Sequence, residues 1–219
     1  MDFKALFQFL EELDKNNHKQ WMDANRSRYH HLRDAFIDWL DQLDLKLAAR
    51  DPDYYPTPGR RGINRINNNL LFHPNRPVYK DHFGAGLDKA PGTADFYIQV
   101  GIRESLLAGG VWRPGPDRLK KIREAIDYDG EVLKEIMEQP DFKRAFGGLY
   151  PDQSLTRMPK GYPADHPHAE LLKQKTLAVA RPVTQEEILS GGFESLIMQT
   201  YETMLPFRRY LNRALTLME

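Results

Sequence analysis

Apolar residues return along this chain in two rhythms, and the change between them marks its architecture. Phe3, Leu6, Phe7, Leu10 and Leu13 recur at helical spacing with Asp2 placed as a cap, so a helix opens the chain. It stops at Lys15-Asn16-Asn17-His18. Asn17 followed by Gln20 has the form of a capping box for a second helical start. Leu32, Phe36, Trp39, Leu40, Leu43 and Leu47 then draw one long apolar stripe, and the first fifty residues read as a helical hairpin.

The prolines and glycines of residues 50–62, RDPDYYPTPGRRG, mark a surface connection, after which the period shortens to two. Around YKDHFGAGL, Tyr79, Asp81 and Phe83 are expected on one face of a strand and Lys80 and His82 on the other. The clearest strand is residues 94–105, where Phe96, Ile98, Val100 and Ile102 alternate with Tyr97, Gln99, Gly101 and Arg103. LLAGGVW follows a turn at Arg103 to Ser105 as its hairpin partner, and so short a connection makes the pair antiparallel.

Helical spacing comes back with Leu119, Ile122 and Ile126 behind Pro116 and Asp117, and shorter helices are predicted over 130–146, broken at Pro140. QSLTRMPKGY and KTLAVARPV are expected as further strands around a short helix at Glu170 to Lys173. From Phe193 onward Leu196, Ile197, Thr200, Tyr201, Met204, Arg208, Leu211 and Leu215 hold helical register, with Pro206 expected to kink it. The class is α+β: a central, mainly antiparallel sheet with an N-terminal helical hairpin and a long C-terminal helix, read as a single domain over 1–219.

A hydrophobic fraction of 41% in 219 residues supports a sizeable core. Cysteine is absent, which removes disulfides, thiolate nucleophiles and cysteine-ligated metals and fits a reducing compartment. The amino terminus is acidic and amphipathic, unlike a signal peptide, and no apolar window approaches the ~20 residues of a membrane span. The expectation is a cytoplasmic protein with no membrane partner. Lysine plus arginine and aspartate plus glutamate both total 31, and this neutral balance disfavours general nucleic-acid binding.

Charge is nevertheless uneven. Between residues 60 and 82, Arg60, Arg61, Arg65, Arg76 and Lys80 oppose only Asp81, within a segment rich in asparagine. Arg65, Arg76, Lys80 and His82, joined by Arg123, Arg157, Lys160 and His166 from later segments, have the chemistry of an anion pocket. Arginine forks two hydrogen bonds to a carboxylate or phosphate and lysine adds a point charge. Tyr97 and Gln99 share the polar side of the sheet. The ordinary reading beside this one is that loop cations form surface ion pairs and asparagines bond their own turns.

Asp165, His166, His168 and Glu170, with His73 or His82, are residues a metal would accept, but their spacing matches no metal motif, and Asp165 suits a helix N-cap. No metal and no cofactor is therefore expected. No nucleophile elbow occurs, and the glycines of GAG and AGG lack the context of a dinucleotide site.

The runs NNHKQWMDANRSRY, RINNNLLFHPNRPVYKDHFG, YIQVGIRESLLAGGVWRPGPDRLKKIREAI and LTRMPKGYPADHPHAELLKQKT, in this order, resemble the uncharacterised family DUF2461 over nearly the whole chain. The resemblance implies a shared domain and recurring positions at Arg65, Phe72, Tyr79, Lys80, Tyr97, Gly109, Gly110, Arg123, Lys160, Gly161, Asp165 and His166. It implies no activity. Where many members resemble an Arg-Asp-x-Arg-Phe run, this chain has Asn68, Asn69, Leu70, Leu71 and Phe72, so two cations and a carboxylate are missing.

Together these readings predict a domain that holds a small anionic, phosphate-bearing ligand in a cleft between the central loop and the Arg157 to His166 segment. His82 and His166 are the groups with acid or base chemistry there. The competing expectation is a non-catalytic protein-interaction module using the basic loop or the terminal helices.

Overall fold

Asp2 accepts a hydrogen bond from the Ala5 amide at 2.9 Å and starts α1 (Phe3–Lys15) in the computed structural model, which describes residues 1–216. The next helix, α2 (Lys19–Ala24), is capped by His18, whose Nδ1 accepts from the Trp21 amide at 3.3 Å. The capping box expected at Asn17 does not form, because the Asn17 side chain is committed elsewhere. In α3 (Arg26–Ala48) all six residues of the apolar stripe are buried.

The connection that follows is more tightly held than its prolines suggest. Asp44, buried on α3, accepts from the Tyr54 hydroxyl and from the Thr57 amide at 2.9 Å, and Asp41 accepts from the Gly59 amide at 2.7 Å. Gly59 opens the short α4 (Gly59–Gly62), where a Cβ would stand 2.5 Å from the Ile37 carbonyl oxygen. Only glycine lets the two backbones approach this closely.

Four strands, β1 (His82–Leu87), β2 (Asp95–Gly101), β3 (Ser105–Val111) and β4 (Leu177–Val183), form an antiparallel sheet in chain order. The β2 alternation holds, since Phe96, Ile98 and Val100 are fully buried and Tyr97 and Gln99 are half-buried. The expected strand at YKDHFGAGL begins only at His82; Asp81 lies in a bend, so strand alternation does not separate it from His82. Residues 153–162 form no strand. Ser154 makes one isolated bridge to Gln174, Pro159 lacks an amide donor and Gly161 takes φ +99°.

Helix α5 (Pro116–Glu138) runs through a non-helical Asp129, and α6 (Pro140–Phe146) starts at the predicted break. α7 (Ala169–Leu172) precedes β4, and α8 (Gln185–Leu189) follows it behind a Thr184/Glu187 capping box. α9 (Phe193–Thr216) is the long C-terminal helix, with Pro206 inside it. The class is α+β, as predicted.

The chain forms two compact units. The first comprises Met1–Lys89, Tyr97–Leu107 and Pro182–Met198. Its core is aromatic: Phe36 meets Phe83 of β1 edge-on at 5.5 Å, and Trp39 stacks on Phe193 at 6.0 Å while its indole donates to Glu194 at 3.1 Å. The second comprises Ala90–Phe96, Ala108–Arg181 and Gln199–Glu219. Within it Phe96 packs on Tyr201 at 5.2 Å. Arg208, on the apolar stripe of α9, is 2% exposed; it donates to the Ala94 carbonyl at 3.0 Å and lies over the Tyr201 ring. Gly109 and Gly110 leave room for this packing, since a Cβ on Gly109 would stand 2.7 Å from the Asp95 carbonyl and one on Gly110 2.8 Å from the Ala178 Cα.

Candidate functional site

In the first unit the asparagine-rich segment is an antiparallel excursion. The Lys80 amide donates to Ile66 at 2.8 Å and the Asn68 amide to Val78 at 3.0 Å, with Asn67 bridged to Tyr79. Asn68 closes this ladder with its side chain as well, Nδ2 donating to the Pro77 carbonyl at 2.9 Å. Beyond it the chain makes one helical turn, the His73 amide donating to Asn69 at 3.0 Å. The base of the excursion is tied to the α1–α2 junction: Asn17 Nδ2 donates to the Tyr79 carbonyl at 3.0 Å while its Oδ1 accepts from the Tyr79 amide at 2.8 Å. The asparagines thus do two jobs, closing their own turn and anchoring it.

Beside the ladder is a cavity of about 250 Å³ walled by Asn68, Arg76, Lys80, His82 and Arg103, with Asp14 and Asp81 also in its wall. Lys80 is half-buried and donates to the Arg65 carbonyl at 2.7 Å. Burial pushes its ammonium below the ordinary lysine pKa, and the guanidinium charges of Arg65 and Arg76 push it further in the same direction. Among the described residues, no carboxylate pairs with Lys80, Arg65 or Arg76.

The two carboxylates of the wall are engaged by other groups. Asp14 accepts from Arg103 Nη2 at 2.8 and 2.9 Å, and Asp81 Oδ2 lies 3.6 Å from Arg103 Nη1. Asp81 Oδ1 lies 2.9 Å from His82 Nδ1. A carboxylate only accepts, so this contact places the Nδ1 proton on His82 and leaves Nε2 of the neutral ring as an acceptor. Room for the imidazole comes from Gly101, where a Cβ would stand 2.6 Å from His82 Cβ. Tyr97 crosses Gly84 in a similar way, and its hydroxyl donates to Gln99 at 3.3 Å.

Arg76, Tyr79, Lys80 and His82 therefore share one cavity, and Arg65 adjoins Lys80 through its carbonyl. Tyr79 contributes mainly its clamped backbone, its side chain being 5% exposed. Sequence reasoning missed Asn17, Asp14 and Arg103. It saw Asp81 but placed it on the opposite face from His82.

The other four predicted residues belong to the second unit. Arg123 donates from Nε to the Leu172 carbonyl at 2.9 Å and from Nη2 to the Gln174 carbonyl at 3.4 Å, closing the end of α7; burial lowers its pKa against the opposing influence of Tyr162. His166 uses both ring nitrogens, Nδ1 accepting from the His168 amide at 3.0 Å and Nε2 lying 2.9 Å from Asp127. An acceptor Nδ1 means that Nε2 carries the proton, so this imidazole is held as a structural link with no nitrogen free for proton transfer. The His168 ring packs on Gly130, where a Cβ would stand 2.6 Å away. Arg157 and Lys160 are exposed on the loop before α7. Among the described residues no three His, Asp or Glu side chains gather to hold a metal.

Comparison with known proteins bears out the family resemblance of the sequence. The family described as a conserved hypothetical protein (DUF2461) matches residues 5–210. No curated protein and no solved structure matches the chain.

Proposed function

The chain belongs to the DUF2461 family, and from the cavity of its first unit we propose that it binds a small, phosphate-bearing anion there. The observation that carries this reading is Lys80: a half-buried ammonium whose hydrogen bond goes to a carbonyl, set against Arg65 and Arg76, with no carboxylate pairing with any of the three among the described residues. Clustered like charges raise one another's energy, and an anion would relieve that repulsion. Its size follows from the space. At about 250 Å³ the cavity lies below the ~300 to 1,000 Å³ usual for drug-sized ligands, which favours a phosphate or phosphomonoester over a nucleotide.

Arg76 and Lys80 supply charge, and Arg103, held by Asp14, supplies a third cation in the wall. His82, oriented by Asp81, is the one imidazole in that wall and the residue that would move a proton if chemistry occurs on the bound group. Thermal melting with inorganic phosphate and a panel of phosphomonoesters tests the reading. The parent should be stabilised by at least one ligand, and Lys80→Ala and Arg76→Ala should lose that shift. Equal shifts in the parent and both variants would refute it.

A further inference from the structure

Leu70, Leu71 and Phe72 are consecutive and exposed by 37%, 84% and 72%. They fill the helical turn from Asn69 to His73, so the ladder at its base lifts them away from their own unit. Exposed single apolar residues are ordinary, but three together at the end of an anchored loop form a surface with a hydrophobic drive to be covered.

The chemistry of the flanking chain says what covers it. From Arg60 to Lys80 there are five arginines and lysines and no carboxylate. An apolar tip carried on a segment with five cations and no carboxylate of its own is complementary to the boundary of an anionic lipid leaflet, where acyl chains accept aliphatic and aromatic side chains and headgroup phosphates lie just outside them. A nucleic acid would match the charge and could stack on Phe72, yet it offers nothing apolar to two leucines. We propose that this loop docks the protein on an anionic membrane surface, Leu71 and Phe72 entering the interface while a lipid phosphate occupies the Arg76–Lys80 cavity. This rests on the anion-site reading and names a lipid headgroup as its ligand. It departs from the sequence expectation of no membrane partner, which rested on the absence of a spanning segment: docking at the interface requires none, and among the described residues no helix is long and apolar enough to cross a membrane.

Co-sedimentation of the full chain with phosphatidylcholine vesicles, with and without phosphatidylserine, tests the proposal. The parent should sediment only with the anionic vesicles. The double variant Leu71→Ser, Phe72→Ser should lose at least tenfold in affinity, and Arg76→Ala about fivefold, the weight of one cation near such a surface. Both substitutions lie at exposed positions, so folding is preserved.

Calorimetry with inorganic phosphate separates the two readings. If phosphate binds equally to the parent and the tip double variant, and vesicle binding depends on the tip, both readings stand. If vesicles are ignored, or retained equally by the tip variant, while phosphate still binds, the lipid proposal is overturned and the anion site survives. If neither vesicle nor phosphate binds, both fall. Tip-dependent binding to a purified protein or to nucleic acid, without vesicle binding, would also overturn the lipid proposal.

Discussion

Asn17 and Tyr79 exchange two hydrogen bonds, the asparagine side chain acting on the tyrosine backbone as a paired strand would. One turn between two helices thereby fixes the base of the loop that lines the candidate site. Asn17→Ala leaves both Tyr79 backbone groups without this partner at a buried residue and should cost about 1 to 3 kcal/mol. Chemical denaturation measures the loss, and the Tyr79 amide should exchange faster than in the parent. Asn17→Asp should fall between them, since a carboxylate still accepts from the amide but cannot donate to the carbonyl.

Gly101 sits under His82. A methyl group there would stand 2.6 Å from His82 Cβ and 2.7 Å from the Glu104 carbonyl oxygen. Gly101→Ala should destabilise the protein by about 1 to 3 kcal/mol through overpacking. It should also break the His82–Asp81 contact, visible as a shift of the His82 ring resonances.

Lys80 should report on the site through its own proton. Its pKa lies below the ordinary value of 10.5, with burial the larger cause and Arg65 and Arg76 following. In the interval between the lowered native value and the ordinary one, the unfolded chain binds the proton more tightly. Stability therefore rises with pH through that interval, and the charged lysine weakens the fold below it. Arg76→Ala should raise the Lys80 pKa, and saturating phosphate should raise it further, both followed by side-chain NMR titration.

The two histidines should separate by role. His166 satisfies a backbone amide with one nitrogen and meets Asp127 with the other, so His166→Ala should cost about 1 to 3 kcal/mol in denaturant. His82→Gln should leave stability nearly unchanged and alter anion binding in the melting assay.

Asp152 supplies an acid-range signature in the second unit. The guanidinium of Arg113, then the Thr176 hydroxyl and the Gln153 amide, hold its carboxyl well below the usual carboxylate range. This stabilisation is complete above the ordinary value of 3.8 and fades as the pH falls below it. Asp152→Asn should be less stable than the parent at neutral pH, and the difference should shrink as acid is added, read from melting temperatures across a pH series.

What the sequence by itself determined is what short-range periodicity encodes. The stripes of α1, α3 and α9 and the alternation of β2 repeat within a few residues, so each shows which face is buried without reference to any other segment. Arg76, Tyr79, Lys80 and His82 were legible as one cluster because they lie within seven positions of each other. Tertiary structure alone decided the rest. Asp14 and Arg103 pair across a separation of 89, and Asn17 reaches Tyr79 across 62, distances over which no local pattern carries information. Ladder, turn and cation spacing set where charge is concentrated; the folding of a distant asparagine and a distant ion pair against them decides that this charge lines a cavity.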